Sequence, residues 1–325
     1  MEVVDYHTAG EPFRIVVGGA PALSGNTVLE RRADAQKNHD DVRRFVVNEP
    51  RGHADQYGCF VVPPNDPGAE FGVVFFHKDG YSTACGHGTI AIATWAFESG
   101  LLRPGDGLNR ISIDVPSGRV RVEVNVVDGR VRDATFVNVP SFVTATGLSV
   151  DIGGSMVSAA VAYGGAFYVS IDAADLGLSV TPDHVERFIS LGRHVKASLA
   201  GHPSAVHSDP RLSGIYGVIF SERLGPYHQR NITIFADGEV DRSPCGSGTS
   251  ARLALLHHAG ELEVGDVLIH DSVIGSRFLG RVLAVTEVDR RNSVITAVTG
   301  SAHKTGTATF TLDPEDELGL GFQIR

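Results

Sequence analysis

Short apolar runs alternate with Gly, Asp, Asn and Pro along most of the chain, a rhythm that predicts strands joined by tight turns. The runs include EVVDYHTAG and EPFRIVVGG at the start, then CFVVPP, FGVVFFHKDGYS and the long RISIDVPSGRVRVEVNVVDGRVRDATFVNVP. MVSAAVAYGGAFYVSID, GVIFSE, NITIFADGEVD, SRFLGRVLAVTEV, SVITAVTGSA and TATFTLDP continue the pattern. VDGRV at Val127–Val131 and ADGEV at Ala236–Val240 read as hairpins, because Asp-Gly supplies the positive φ angles of a tight turn. Helical periodicity is confined to four segments. Arg31–Val46 carries apolar positions on one side and charges on the other, and Pro182–Leu199 opens on a Pro-Asp pair suited to a first turn. Gly86–Ser99 and Gly246–Ala259 are largely apolar all round, which predicts buried helices.

The last two helices begin alike. Aligning Cys85 with Cys245, which lie 160 residues apart, makes seven of eighteen positions coincide. A repeat of that length points to duplication of a whole domain rather than a solenoid. The expected domains are 1–140, carrying Cys85, and 141–325, carrying Cys245, with a return of the last strand to the first half left open. No Pro/Ser-rich linker separates them, so a close-packed pair with a cleft between is expected.

The length of 325 residues suits two domains of roughly 100–200 residues each. At 42% hydrophobic and 20% charged the composition is that of a globular protein. The net charge of −10 is spread without blocks of like sign, so neither nucleic acid nor an anionic membrane surface is an expected partner. No basic-then-apolar leader opens the sequence and no apolar stretch approaches the roughly 20 residues of a membrane span. Three cysteines without a leader argue against a disulfide scaffold and for the reducing cytoplasm. Histidine and cysteine spacing predicts no metal site. His257 and His258 read as helix-end residues satisfying carbonyls, and Cys59 as a core strand residue.

A cysteine at the mouth of a helix, followed by Gly-His-Gly or Gly-Ser-Gly, meets unpaired N–H groups and the positive end of the macrodipole. That environment lowers a thiol's pKa, so a thiolate fraction near neutral pH is expected at both positions. The glycines also let backbone N–H groups approach an anion of carboxylate size. Two such elements facing one another could remove the α-proton of a small amino acid with one sulfur and return a proton from the other. The result is stereoinversion without a cofactor, or elimination where the β-carbon carries a leaving group.

Ala84–Ala91 (ACGHGTIA) and Asp241–Ala251 (DRSPCGSGTSA) resemble the paired motifs of the proline racemase family. DYHTAGEPFRIV, EPRGHADQYGC at Glu49–Cys59, AYGGAFYV at Ala162–Val169 and GSAHKTGTATF extend the resemblance over nearly the whole chain. The resemblance implies an α+β fold of two pseudo-symmetric, diaminopimelate-epimerase-like domains, each a curved, mostly antiparallel sheet around a central buried helix. It also implies no cofactor, Cys85 and Cys245 as the acid/base pair, and Gly86, His87, Asp241, Gly246 and Ser247 as the groups holding the substrate's carboxylate and ring nitrogen. Asp241 otherwise reads as a turn or cap residue, and His87 as a solvent-facing one. The expected substrate is proline or a hydroxyproline, and a homodimer is the expected assembly.

Within that family the blocks GEPFRIV, EPRGHADQYGC and GYSTACGHGT are most similar to trans-3-hydroxy-L-proline dehydratases. Many of those carry Ser or Thr in place of one cysteine, whereas this chain keeps both, the pattern of 4-hydroxyproline 2-epimerases and proline racemases. In trans-3-hydroxy-L-proline the hydroxyl shares a ring face with the α-proton, so elimination to pyrroline-2-carboxylate can proceed with one sulfur. Inversion requires a proton donor on both faces.

Overall fold

The computed structural model describes residues 1–152 and 154–324. Its first elements are β1 (Glu2–Thr8), β2 (Glu11–Gly18), α1 (Val28–Asn38), α2 (Asp40–Val47), β3 (Tyr57–Val62), β4 (Phe71–His77), β5 (Gly80–Tyr81) and α3 (Gly86–Glu98). Next come β6 (Gly107–Val115), β7 (Gly118–Val127), β8 (Arg130–Val137), β9 (Ser141–Asp151), β10 (Met156–Tyr163), β11 (Phe167–Asp172) and α4 (Val185–Ser198). The chain continues through β12 (Ile215–Gly225), β13 (His228–Phe235), β14 (Glu239–Asp241), α5 (Gly246–His258), β15 (Val267–Ser272), β16 (Arg277–Val288), β17 (Arg291–Gly300) and β18 (Ala302–Thr309). It divides into two compact units, one of Met1–Thr135 with the segment from Ser301 onward, the other of Phe136–Gly300.

In the unit Phe136–Gly300, eight strands close into a ring in the order β9, β10, β11, β12, β13, β15, β16, β17, and β17 pairs back onto β9 at Ser293 and Phe142. Only β11–β12 and β13–β15 are parallel. A parallel step needs a long crossover; α4 lies in the first, and β14 with α5 lies in the second. The other unit runs through the same succession. Antiparallel β1–β2 leads to parallel β2–β3 across α1 and α2, then antiparallel β3–β4, parallel β4–β6 across α3, and antiparallel β6–β7. The last strand, β18, returns to pair with β1 from Glu2–Thr309 to Thr8–Ala302. The fold is therefore α+β, with two units of one topology.

A helix with no polar face has to be enclosed, and both cysteine-led helices are. α3 packs against β1, β2, β3, β7 and β18, and α5 against β9, β10, β11, β16 and β17. Along α3 only Trp95 and Glu98 escape full burial, and along α5 only Arg252 and the two terminal histidines do. His257 Nδ1 lies 2.8 Å from the carbonyl oxygen of Leu262, in the segment that follows α5. Cys59 is a fully buried residue of β3. Among the described residues no helix is long and apolar enough to cross a membrane.

The single helix expected over Arg31–Val46 is two. A capping box starts α1, with Thr27 Oγ1 accepting the Glu30 N–H and the Glu30 carboxylate accepting that of Thr27. At His39 the backbone leaves helical geometry (φ −138°, ψ 24°), and Asp40 and Asp41 then occupy the first turn of α2, where carboxylates suit the dipole. The amphipathic pattern ran through the break because both helices turn apolar residues, among them Val28, Ala35, Phe45 and Val46, into one cluster with Val3, Val16 and Val74. The Asp-Gly turn behaves as the sequence predicts, with Asp128 and Gly129 at φ 53° and 70° between β7 and β8.

Arg14 on β2 ties this unit together. Its guanidinium donates to both Asp5 oxygens (2.9 and 2.7 Å) and to the carbonyls of Val46 (2.6 Å) and Arg51 (2.7 Å). Arg14→Met strands two carbonyls and a carboxylate at once, so the urea unfolding midpoint is expected to fall by the equivalent of about 3 kcal/mol.

Candidate functional site

α3 opens on Cys85, whose backbone is extended (φ −151°, ψ 102°) and whose Sγ accepts the Gly88 N–H at 3.3 Å. The sulfur thus acts as a cap for a donor that the helix cannot satisfy internally. Thr89 donates its N–H (2.9 Å) and hydroxyl (2.7 Å) to the Cys85 carbonyl. Gly88 is required where it stands: a Cβ there would lie 2.7 Å from Cys85 Sγ and run into the Phe13 ring. His87 is not solvent-facing. It is 3% exposed and meets Phe13 and Tyr57 edge-on at 5.7 and 4.9 Å, two residues paired across β2 and β3. Its ring nitrogens lie 3.5 and 3.6 Å from Cys85 Sγ, and Thr8 Oγ1 donates to its carbonyl at 2.9 Å. Burial in this aromatic setting lowers its pKa to about 3, so the imidazole beside the sulfur is neutral.

α5 opens on Cys245 in a different way. Cys245 adopts φ 62°, ψ 104°, a region few non-glycine residues occupy. Its surroundings hold it there. Its N–H donates to Ser243 Oγ (3.1 Å), and the preceding Pro244 carbonyl accepts from Asn231 Nδ2 (2.9 Å) and Thr249 Oγ1 (3.2 Å). The Cys245 thiol donates to the Tyr168 phenol oxygen (3.7 Å), which in turn shares a 2.7 Å hydrogen bond with Ser247 Oγ. Gly248 repeats the part of Gly88, since a Cβ there would sit 2.9 Å from Cys245 Sγ.

Asp241, the last residue of β14, is 2% exposed, and its Oδ1 accepts the N–H (2.8 Å) and hydroxyl (2.7 Å) of Ser243. It is a turn residue and a candidate ligand at once. Burial, opposed by those two bonds, pushes its carboxyl up to about 6. Burial first and the Asp241 carboxylate second push the Cys245 thiol up as well. The expectation of a ready thiolate at both helix N-termini therefore fails at Cys245. Loss of water outweighs the first-turn donors, and the group is a protonated thiol.

Gly86 and Gly246 are the buried first residues of α3 and α5, and Ser247 is buried one position on. The structure brings His87 to Cys85, and brings Asp241 and Ser247 to Cys245. Neither spacing nor repetition along the chain singles out Thr8, Phe13, Tyr57, Tyr168 or Ser243. Four of the five reach their motif from a strand distant in sequence, which spacing cannot reveal. One signal was available for Tyr168: the Gly-Gly of AYGGAFYV. A Cβ on Gly164 would collide with the Ser247 carbonyl and lie 2.8 Å from the Ala251 nitrogen, so this turn is pressed against α5.

Two units of one topology thus each present a buried helix led by cysteine, with glycine three residues on. A family model described as Proline racemase matches residues 3–323. The chain belongs to the proline racemase family. The trans-3-hydroxy-L-proline dehydratase of Burkholderia ambifaria is 43% identical over 100% of this chain and 98% of its own. The 3-hydroxyproline 2-epimerase of Burkholderia multivorans is 42% identical over 100% and 98%. The crystal structure of a hydroxyproline epimerase from Agrobacterium vitis with bound trans-4-hydroxy-L-proline matches at TM-score 0.95 and 30% identity, over 100% of this chain and 95% of that one. Dehydratase and epimerase are thus both represented among this chain's relatives in the family.

Proposed function

We propose that the protein dehydrates trans-3-hydroxy-L-proline to pyrroline-2-carboxylate, with Cys85 as the base. The observation that carries this reading is the full-length 43% identity to a trans-3-hydroxy-L-proline dehydratase, together with the unequal settings of the two sulfurs. Cys85 Sγ has a neutral imidazole beside it, whereas Cys245 has the Asp241 carboxylate beside it, which adds to burial in pushing that thiol up. The Cys85 thiolate takes the α-proton; the C3–O bond then breaks as that proton passes from sulfur to the departing hydroxyl on the same face. Water leaves, the thiolate is regenerated, and the enamine tautomerises to the cyclic imine. Gly86, His87, Gly246 and Ser247 are assigned to the substrate's carboxylate, and Asp241 to its cationic ring nitrogen.

The alternative is 2-epimerisation of 4-hydroxyproline or racemisation of proline by Cys85 and Cys245 as a two-base pair, favoured by retention of both cysteines. A panel of proline and both hydroxyproline regioisomers with their epimers, followed by NMR in heavy water, separates the two. The dehydratase reading expects an imine trappable by an aldehyde reagent from trans-3-hydroxy-L-proline alone. Absence of imine with α-deuterated epimers of another substrate overturns it.

The Asp241 assignment predicts a pH dependence. The carboxylate must be ionised to hold a cationic nitrogen, and its pKa is raised to about 6. Falling pH protonates it, so kcat/KM is expected to decline below about pH 6. Asp241→Asn is expected to lose that limb and on the order of a hundredfold in kcat/KM; an unchanged acid limb overturns the assignment. Cytoplasmic location is part of the reading, supported by three free cysteines.

A further inference from the structure

The phenol of Tyr168 lies against the reactive end of α5, and neither the duplicated motif nor the aspartate accounts for it. Tyr168 projects from β11 and is fully buried, in a cluster with Ala162, Ala166, Ile219, Cys245, Ala251 and Leu255. In so apolar a setting a phenol needs a partner, and it has two, Cys245 and Ser247. In the other unit the Cys85 sulfur caps its own helix and lies beside an imidazole.

We propose that Tyr168 is a positioning residue for Cys245, holding its thiol by accepting the S–H hydrogen bond and able to reverse that bond when the proton leaves. The proposal rests on Cys245 being one of the two acid/base sulfurs. With the thiol intact, S–H donates to the phenol oxygen while the phenol O–H donates to Ser247 Oγ. Once the proton has gone to substrate, the phenol O–H turns to the thiolate and the Ser247 hydroxyl donates to the phenol oxygen. No covalent bond changes in the protein beyond the S–H, and three rotating groups stay paired in both states. The groups facing Cys245 are Tyr168 and Asp241, the latter's carboxylate also within hydrogen-bonding reach of the thiol, with Arg242 near Asp241 and Tyr216 near Tyr168. Among these Tyr168 is the one whose hydroxyl can serve the sulfur in both proton states. Cys245 is thereby kept as a competent proton donor, the property that inversion needs and elimination does not.

Tyr168→Phe removes the hydroxyl and keeps the ring. The infrared S–H stretching band of Cys245, assigned by its loss in Cys245→Ser, is expected to move to higher wavenumber in Tyr168→Phe while the Cys59 band stays in place. On whichever proline-class substrate incorporates α-deuterium from heavy water, kcat for inversion is expected to fall about tenfold or more, with KM moved less than about threefold. A Cys245 band absent from the native protein, or unmoved in Tyr168→Phe, overturns the proposal. The spectroscopic result needs no substrate, so it stands apart from success or failure of the dehydratase reading.

Discussion

In heavy water, Cys245→Ser is expected to dehydrate trans-3-hydroxy-L-proline within about tenfold of the native rate, whereas Cys85→Ser is expected to lose on the order of a thousandfold. In this substrate the α-proton and the hydroxyl share a face, so a single sulfur can take one and assist departure of the other. In the proposed reaction Cys85 is the base: its sulfur has a neutral imidazole beside it, whereas burial and the neighbouring Asp241 carboxylate both push the Cys245 thiol up. Serine is a far weaker acid than cysteine and makes a poor thiolate substitute, so the loss at position 85 should be large. For any substrate turned over by inversion, both variants should fail, since each face needs its own donor. Imine trapping reads the first reaction and α-deuteration with optical rotation the second. Equal loss of dehydration in the two variants would falsify one-face elimination.

Gly164→Ala is expected to be among the most damaging single-methyl changes in the chain. The new Cβ would collide with the Ser247 carbonyl and stand 2.8 Å from the Ala251 nitrogen, both backbone atoms of α5 that no rotamer change can move. Gly164 is itself fixed, because its carbonyl accepts Asn138 Nδ2 at 2.8 Å and its N–H donates to the Ala166 carbonyl at 2.9 Å. The strain has to be relieved by displacing the first turn of α5, and Cys245, Asp241 and Tyr168 are tied to that turn. A stability loss of about 3 kcal/mol is expected from overpacking, with turnover falling even at temperatures where the variant stays folded. Gly306→Ala is the matched control: a Cβ there meets nothing within 4 Å, so urea midpoint and turnover should be near native. A native-like Gly164→Ala would show that the β10–β11 turn does not brace the helix.

What the sequence determined by itself was local or repeated. The two buried helices, the Asp-Gly hairpin at Asp128 and the cysteine-glycine motif were legible because each depends on neighbours within a few residues, and duplication made the motif stand out from chance. The Gly88 and Gly248 positions follow the same logic, since each glycine lies against the sulfur three residues before it. Only the tertiary structure broke the first amphipathic stretch at His39, because both resulting helices feed one apolar cluster and periodicity cannot see the change of axis. It alone seated His87 between Phe13 and Tyr57 and brought Tyr168 to a sulfur 77 residues away, through strand pairings that spacing does not encode. It also decided the proton state of Cys245. A helix N-terminus argues for a thiolate, but the water removed around Cys245 and the carboxylate beside it argue more strongly for a thiol. The paired motif was therefore visible in the chain, whereas the surroundings of each sulfur depend on burial, which exists only once the strands have closed around the helices.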